Sequence, residues 1–194
     1  MPELPTTARG TATSRRILDA ATEEFAERGI AGARIDRIVA AALTNKAQLY
    51  GYYGGKDGLF DAVVADRVDR LMEAVTFDAT DLPGFAVAMY DENLRHPELI
   101  RLTTWLRLER RSEGRLGDDR PEDEPKLLAI ARAQAAGLLR PGRPSDLFAL
   151  VLGMACAWSP ASAFYAATPA EPAEDHERRR ALLREAVRAA VQLD

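Results

Sequence analysis

The stretch NKAQLYGYYGGKDGLF, residues 45–60, decides the fold of this chain together with the helical pattern that leads into it. The earlier pattern, SRRILDAATEEFAERG at residues 14–29, spaces apolar side chains three and four residues apart, which is typical of a helix with one buried face. That face consists of Ile17, Leu18, Ala21 and Phe25. Gly29 then supplies a residue that can adopt the left-handed conformation found at helix ends. The sequence therefore predicts a first helix that ends at Gly29.

Two short helical patterns follow, joined by a very tight turn. The first carries a buried stripe at Ile35, Ile38, Val39 and Ala42. After Leu43 and Thr44, Asn45 is a good N-cap for a third helix that runs through Tyr53. Two helices with so short a linker cross at a steep angle. The third helix has only about two turns, so its stability must come from packing, with Leu49 and Tyr53 as the expected anchors.

These segments together resemble the N-terminal region of the tetracycline-repressor (TetR) family of transcription regulators. The matching segments are RRILDAATEEFAERG, RIDRIV and NKAQLYGYYGGKDGLF, the last with its LY pair, its aromatic residue and its following lysine. The agreement of three helices, their turn lengths and the LY…K signature makes the resemblance specific. It implies an all-α fold, with an N-terminal three-helix helix-turn-helix DNA-binding head and a C-terminal helical body for ligand binding and dimerisation.

The resemblance also sets the expected domains and partners. We expect a flexible arm at residues 1–10, a DNA-binding domain at 11–56 and a ligand-binding and dimerisation domain at 57–194. The expected partners are double-stranded DNA with a palindromic operator, a small apolar or aromatic effector that releases the repressor, and a second copy of the chain. No cofactor, metal site or catalytic residue is predicted.

The resemblance assigns DNA contacts residue by residue. Tyr50 is expected to meet a phosphate or a base edge, Tyr52 a phosphate, and Lys56 a phosphate at the start of the fourth helix. Lys46 could reach guanine or phosphate, and Gln48 an adenine edge. The full predicted set is Arg34, Arg37, Asn45, Lys46, Ala47, Gln48, Tyr50, Tyr52 and Lys56. For Tyr50 a core position is the alternative, and for Lys56 and the arginines an ordinary solvated charge.

Three positions depart from the family pattern. Leu43 stands where the turn usually has glycine, so the backbone must avoid a left-handed conformation there or accept strain. Arg34 replaces the usual Thr or Ser cap of the second helix. Asp36 stands where some relatives place a base-reading arginine, and an acid there would repel phosphate. These departures concern the operator sequence more than the fold.

Composition agrees with a specific DNA reader. The chain has 194 residues, 47% of them apolar, and a net charge of −4. Residues 1–60 contain eight Lys and Arg and seven Asp and Glu, whereas the remainder contains 18 basic and 23 acidic residues. The net negative charge therefore lies outside the predicted head. The lone cysteine, Cys156, excludes an internal disulfide and is expected to be a buried thiol. The N-terminus lacks a signal-peptide pattern, so a cytoplasmic protein is expected.

The remainder of the chain reads as further helices. Their predicted ranges are residues 60–77, 81–94, 97–110, 126–139, 146–167 and 173–193, with a charged loop at 110–124. Residues 147–168 contain no charge and could by length alone cross a membrane. Because Ser159, Pro160 and Ser162 interrupt this run, a helix buried against its own subunit and a twin is the preferred interpretation.

The predicted body offers a ligand pocket and a dimer interface. The candidate lining residues are apolar or aromatic: Phe85, Met89, Tyr90, Leu102, Trp105, Leu106, Leu128, Phe148, Val151, Met154, Trp158 and Tyr165. For each of them a packed core is the alternative. The candidate interface residues come from the last two helices: Leu147, Leu150, Leu182, Leu183, Ala186, Val187, Ala190 and Val191. Here the alternative is that the same residues complete a core within one chain.

Two other classes of protein remain open from the sequence. A helical dimer that binds ligands or proteins without binding DNA is compatible with the departures at Leu43 and Asp36. An all-helical enzyme has less support, because His96 and His176 lie far apart and no nucleophilic triad, phosphate-binding glycine loop or metal-ligand spacing appears.

Overall fold

The computed structural model describes residues 8–110 and 123–192 of the chain. These residues fall into two compact units: a head unit of residues 8–70 with 98–110, and a body unit of residues 71–97 with 123–192. Nine α-helices and no strand occur in the described ranges, which confirms the all-α prediction. The division between the units falls inside the fourth helix, whereas the sequence places the domain boundary at its start.

The helices follow the predicted order. They are α1 Ala8–Gly32, α2 Ile35–Ala41, α3 Lys46–Tyr53, α4 Lys56–Ala74, α5 Leu82–Arg95, α6 Pro97–Glu109, α7 Asp123–Ala135, α8 Pro144–Ala155 and α9 Ala173–Val191. The predicted flexible arm lies outside the described residues except for residues 8–10, which belong to α1. Most of the predicted charged loop at 110–124 also lies outside them.

Gly29 ends the long first segment of α1, as the sequence predicts. Its backbone (φ 70°, ψ 176°) is open to glycine alone, and a further helical turn continues to Gly32. Glu109 of α6 accepts hydrogen bonds from the amides of Ile30 and Ala31 at 3.1 and 2.9 Å. A Cβ at position 29 would lie 3.0 Å from the Trp105 ring. The first helical segment therefore ends where the sequence predicts, and a carboxylate from α6 caps the amides of the short segment that follows.

The prediction of one helix over residues 146–167 is wrong at its C-terminal end. The helix stops at Ala155, and turns and irregular backbone lead to α9. Pro160 has no amide hydrogen for a helical bond and disfavours helical backbone at Ser159. The Ser159 amide instead bonds to the Cys156 carbonyl at 3.0 Å, and Ala167 closes the loop on the Trp158 carbonyl at 2.9 Å. No helix within the described ranges is long and apolar enough to cross a membrane.

The body unit is built around one apolar core. Buried side chains of α5, α7, α8 and α9 meet there, including Ile130, Val151 and Val187, each 0% exposed. Phe77 and Phe85 pack edge to face at 5.1 Å between ring centroids, and Phe77 meets Phe148 in the same way at 5.7 Å. Such rings bury a large apolar area and stabilise the body mainly through the hydrophobic effect.

Candidate nucleic-acid and ligand sites

The helix-turn-helix is held by one cap and two anchors. The Asn45 side chain accepts a hydrogen bond from the Gln48 amide at 3.0 Å, which is the predicted N-cap of α3. Leu49 is 0% exposed and Tyr53 5%, so both predicted anchors are buried. The Tyr53 hydroxyl lies 2.7 Å from the Ser14 hydroxyl on α1, and burial raises the pKa of that phenol. These contacts fix the orientation of a helix too short to be stable alone.

Leu43 accepts the strained conformation. Its φ is 51°, and the Leu43 and Thr44 amides bond back to the carbonyls of Ala40 and Val39 at 3.2 and 3.0 Å. This is the Schellman arrangement of a helix C-terminus, with a leucine at the position that glycine prefers. The Leu43 side chain is 84% exposed, so no packing compensates for the strain. The departure from the family pattern therefore costs stability without changing the turn.

The outer face of α3 is open to solvent. Lys46, Ala47, Gln48 and Tyr50 are exposed, and Tyr50 retains 49% of its accessible surface, so it is not a core residue. Tyr52 is half-buried, with its ring edge-to-face against Tyr53. The Thr44 hydroxyl donates to Gln48 Oε1. The structure thus brings the predicted α3 contacts together on one accessible face.

Asp36 and Lys46 form an ion pair on this face. Their charged groups are 2.6 Å apart, and both side chains are mostly exposed. The hydrogen bond to Asp36 raises the pKa of Lys46. The acid that departs from the family pattern therefore neutralises the first cation of α3 in the free protein.

The two arginines of α2 differ in their contacts. Arg34 is exposed, and its amide donates to Glu24 Oε1 at 2.9 Å. Arg37 directs Nε at Glu24 Oε1 at 2.8 Å and Nη2 at the Gly32 carbonyl at 2.9 Å. Burial opposes ionisation of Glu24, but the bonds from Arg37 and Arg34 outweigh it, so the pKa of Glu24 lies below its usual value. Glu24, which the sequence analysis did not single out, positions the start of α2.

Three further cations, of which Lys56 is a predicted DNA contact, also bond within the head unit. Lys56 Nζ lies 3.4 Å from the carbonyls of both Ala31 and Ala33, near the end of α1. Arg16 Nε donates to the Ala42 carbonyl at 3.0 Å, at the end of α2. Arg15 pairs with Asp66 of α4 at 2.6 Å. Contact of Lys56 with a phosphate stays a prediction.

The candidate ligand residues are divided between the units. Leu102, Trp105 and Leu106 lie on α6, in the head unit. Most of the others pack in or against the body core: Phe85, Met89, Tyr90, Phe148, Val151, Met154 and Trp158. Leu128 and Tyr165 are exposed, at 50% and 44%. The structure therefore does not bring the whole predicted set into one pocket.

A small cavity does occur in the body unit. It has room for about one water molecule, and two predicted ligand residues, Tyr90 and Trp158, line it. Its other walls come from residues that the sequence analysis did not select: Asn93, Leu94, Ala155, Ser159, Pro160 and Ala167. The irregular segment after α8 supplies four of these eight residues, and the sequence analysis had treated that segment as helix.

Beside the cavity lies a buried polar cluster. The Tyr90 hydroxyl is 2.7 Å from His176 Nδ1, and Arg179 Nη2 is 2.6 Å from Glu171 Oε2. The Arg179 guanidinium also lies over the Tyr165 ring, 5.2 Å from its centroid. Hydrogen bonds from the Thr168 amide and from Arg179 lower the pKa of Glu171. Burial alone would lower the pKa of Arg179, yet Glu171 and Tyr90 raise it. The sequence concealed this cluster because His176 and Arg179 stand in the charged run EDHERRR, which reads as a solvated face.

The predicted dimer residues need a correction. Leu147, Leu183, Val187 and Val191 belong to the chain's own core and are at most 7% exposed. Leu150 and Leu182 are 46% and 55% exposed, Ala186 is exposed and Ala190 is half-buried. The four-residue spacing makes two adjacent stripes on α9, and only the stripe with Leu182 and Ala186 faces outward.

Comparison with known proteins agrees with this geometry. The model for bacterial regulatory proteins of the tetR family matches residues 17–63, and the model for the tetracyclin repressor-like C-terminal domain matches residues 81–189. The HTH-type transcriptional repressor SCO4008 of Streptomyces coelicolor is 38% identical over 148 residues, which cover 74% of this chain and 77% of that protein.

Solved structures give the same result. The crystal structure of SCO4942 from Streptomyces coelicolor has a TM-score of 0.76 at 37% identity, over 92% of this chain and 98% of that one. AibR, in complex with isovaleryl coenzyme A and operator DNA, has a TM-score of 0.63 at 19% identity, over 90% and 97% of the two chains. At 19% identity, the similarity to AibR concerns the fold alone.

An accessible, N-capped helix presented by a helix-turn-helix defines a DNA-binding transcriptional regulator. With both family models matched, the chain belongs to the TetR family. Membership of this family favours DNA binding over the alternative of a helical module that has lost it.

Proposed function

We propose that this protein is a homodimeric repressor that binds a palindromic operator in the cytoplasm through α3 and is released by a small, largely apolar molecule bound in its body. The observation that carries the proposal is the exposed face of α3 formed by Lys46, Ala47, Gln48 and Tyr50 behind the Asn45 cap. A capped helix N-terminus with side chains free to reach outward suits the major groove. The repressor name of the relative SCO4008 supports repression as the outcome.

Dimerisation follows from the reach of one short helix. A two-fold axis that places two α3 helices about 34 Å apart, or a near multiple, lets them read successive major grooves. The outward stripe of Leu182 and Ala186 on α9, with Leu150 on α8, is the apolar surface that a second copy would cover. The buried residues of the predicted interface set, Leu147, Leu183, Val187 and Val191, would pack beneath this surface in the core of the same chain.

Release requires two spacings of the paired heads. A ligand that fits the body better in the wider or narrower arrangement biases the equilibrium away from the operator-bound one. A hundredfold loss of DNA affinity needs about 2.7 kcal/mol of such coupling. AibR supports this scheme, since a protein of the same fold has been seen with both an acyl coenzyme A and operator DNA.

The test is selection of bound sequences from random DNA, followed by measurement of affinity against salt. A palindromic consensus and a steep salt dependence are expected, because phosphate contacts release counterions. Lys46→Ala should weaken binding, whereas Arg132→Ala, which removes an exposed charge from α7, should not. Binding that shows no sequence preference, or equal loss in both variants, would overturn the proposal.

Asp36→Asn sharpens the same test. The substitution removes the acid that pairs with Lys46 and repels phosphate. Affinity should rise, and the slope of log affinity against log salt should steepen by up to about one phosphate contact. An unchanged slope would mean that Lys46 does not approach the DNA backbone.

A further inference from the structure

The ion pair of Asp36 and Lys46 places an acid on the surface that is proposed to face DNA. The two side chains are 72% and 57% exposed, and Asp36 Oδ1 lies 2.6 Å from Lys46 Nζ. Asp36 is in the first turn of α2, and Lys46 is the first residue of α3. Arg37, which follows Asp36 in the chain, pairs with Glu24 of α1 instead. When α3 approaches DNA, the Asp36 carboxylate therefore arrives together with the Lys46 ammonium.

DNA offers a carboxylate few favourable contacts. A phosphate that met Lys46 would also lie close to Asp36, because the two charged groups are in contact, and like charges at that distance repel. The hydrogen-bond donors of the major groove are the exocyclic amines, N4 of cytosine and N6 of adenine. The acid therefore directs the ion pair toward base edges instead of the backbone.

The ion pair has hydrogen-bonding capacity left for a base pair. A lysine ammonium carries three donors, and an ionised carboxylate has two acceptor oxygens. The contact between Lys46 Nζ and Asp36 Oδ1 uses one donor and one oxygen. Two donors of Lys46 and the second oxygen of Asp36 can therefore point at neighbouring groups of one base pair.

A G·C pair presents the matching pattern. Its major-groove edge has two neighbouring acceptors, guanine N7 and O6, followed by the cytosine N4 donor. Lys46 can bridge the two acceptors while Asp36 accepts from the amine beside them. An A·T pair instead has its N6 donor between two acceptors, so an ammonium next to the carboxylate could reach only one of them. The ion pair therefore fits G·C better than A·T.

We propose that Asp36 and Lys46 together read one G·C base pair in each half-site of the operator. Lys46 donates to guanine N7 and O6, and Asp36 accepts from cytosine N4. The inference deepens the proposed function, on which it rests for DNA binding through α3. Asp36 is then a specificity-determining residue: it lowers the general attraction for DNA and increases the discrimination between base pairs.

The first test compares the sequences that three proteins select from random DNA. The parent should prefer G·C to A·T at one position of each half-site by at least about fivefold, the lower end for a good base contact. Asp36→Asn should lose this preference, because an amide suits adenine, while it binds DNA more tightly overall and keeps the other positions. Glu23→Gln, which removes one exposed acid from α1, is the control and should select the parent's sequence.

The second test identifies the contacting atoms in the selected operator. N4-methylcytosine blocks the amine hydrogen that faces the groove, and 7-deazaguanine lacks N7. Each analogue at the G·C position should weaken the parent by about fivefold. N4-methylcytosine should weaken Asp36→Ala by less than about twofold, and 7-deazaguanine should do the same for Lys46→Ala, because each variant already lacks the partner group. Both side chains are exposed, so these variants should fold as the parent does.

Three results would overturn this inference and leave the proposed function standing. The parent could select a palindrome in which no position responds to Asp36→Asn, the position that responds could be A·T in the parent, or the analogues could weaken parent and variants equally. Binding without any sequence preference in the parent would instead refute the proposed function, and this inference with it.

Discussion

The head and body units both have an apolar core, but in the head polar bonds also join α1 to α2 and α3. In α2 and α3 the buried side chains are Ile38, Val39, Leu49 and Tyr53. Apolar side chains of α1 and α4 are fully buried in the same unit, and Ser14, Arg16 and Glu24 of α1 add polar bonds to α2 and α3. In the body unit, aromatic and aliphatic side chains, mainly of α5, α7, α8 and α9, close one apolar core. Hydrophobic burial is strong but non-directional, whereas hydrogen bonds set angles and distances. A DNA-reading helix needs its position fixed, and the polar bonds of the head supply this.

The largest effect should come from the body core. Ile130→Ala removes a fully buried side chain and should lower the free energy of unfolding by about 2–5 kcal/mol. Leu128→Ala, two residues away on the same helix but half exposed, should change it by no more than about 0.5 kcal/mol. Chemical unfolding followed by far-ultraviolet circular dichroism measures both. Similar losses in the two variants would show that the body does not depend on this core.

A polar change should have the next largest effect, in the head. Glu24→Gln weakens the bonds to Arg37 and to the Arg34 amide and should destabilise α2 by about 1–3 kcal/mol. Hydrogen exchange of the α2 amides is the measurement. Glu23→Gln, its exposed neighbour, is the control and should leave exchange unchanged. DNA affinity should fall in the first variant alone, and unaltered exchange there would contradict the role given to Glu24.

The same carboxylate should make the head acid-sensitive. The folded-state pKa of Glu24 is below its usual value of 4.5. The contribution of its charge to the free energy of unfolding is therefore complete above pH 4.5 and is lost as the pH falls through the lower folded-state pKa. The stability difference between the parent and Glu24→Gln should therefore be constant from pH 7 to about 5 and shrink below pH 4.5. A difference that does not shrink at all below pH 4.5 would point to packing instead of charge.

The smallest expected effect is an increase in the stability of the head. Leu43→Gly relieves the left-handed backbone at an exposed position and should stabilise the head by about 1 kcal/mol. Leu43→Ala keeps a Cβ and should gain almost nothing. Thermal unfolding compares the three proteins, and equal stability of the glycine and alanine variants would mean that the turn is not strained.

The head could be predicted from sequence because its signals are local. The Asn45 cap, the Leu49 and Tyr53 anchors and the tight turn each depend on residues within a few positions of one another, and the structure confirms them. The capping of the break at Gly29 could not be predicted, since it comes from Glu109, about eighty residues away. The role of Glu24 was hidden in the same way by its distance from Arg37.

The body was predicted less well because its pattern has more than one solution. Apolar residues spaced four apart on a helix can form a dimer interface or a core within one chain. The structure places Leu183, Val187 and Val191 in the core. The end of α8 was missed because apolar content outweighed the signal of Pro160. The polar cluster of Tyr90, His176 and Arg179 has no local signature, because helices distant in sequence bring it together.

By itself, the sequence determined the helical class, the helix-turn-helix and the family, because spacing, caps and turn length act between neighbours along the chain. Only the tertiary structure decided which cations of the head are engaged in internal bonds, which stripe of α9 is left facing outward, and that Tyr90 meets His176 inside the body. Those properties depend on burial and on the direction of side chains, which arise only when distant segments pack.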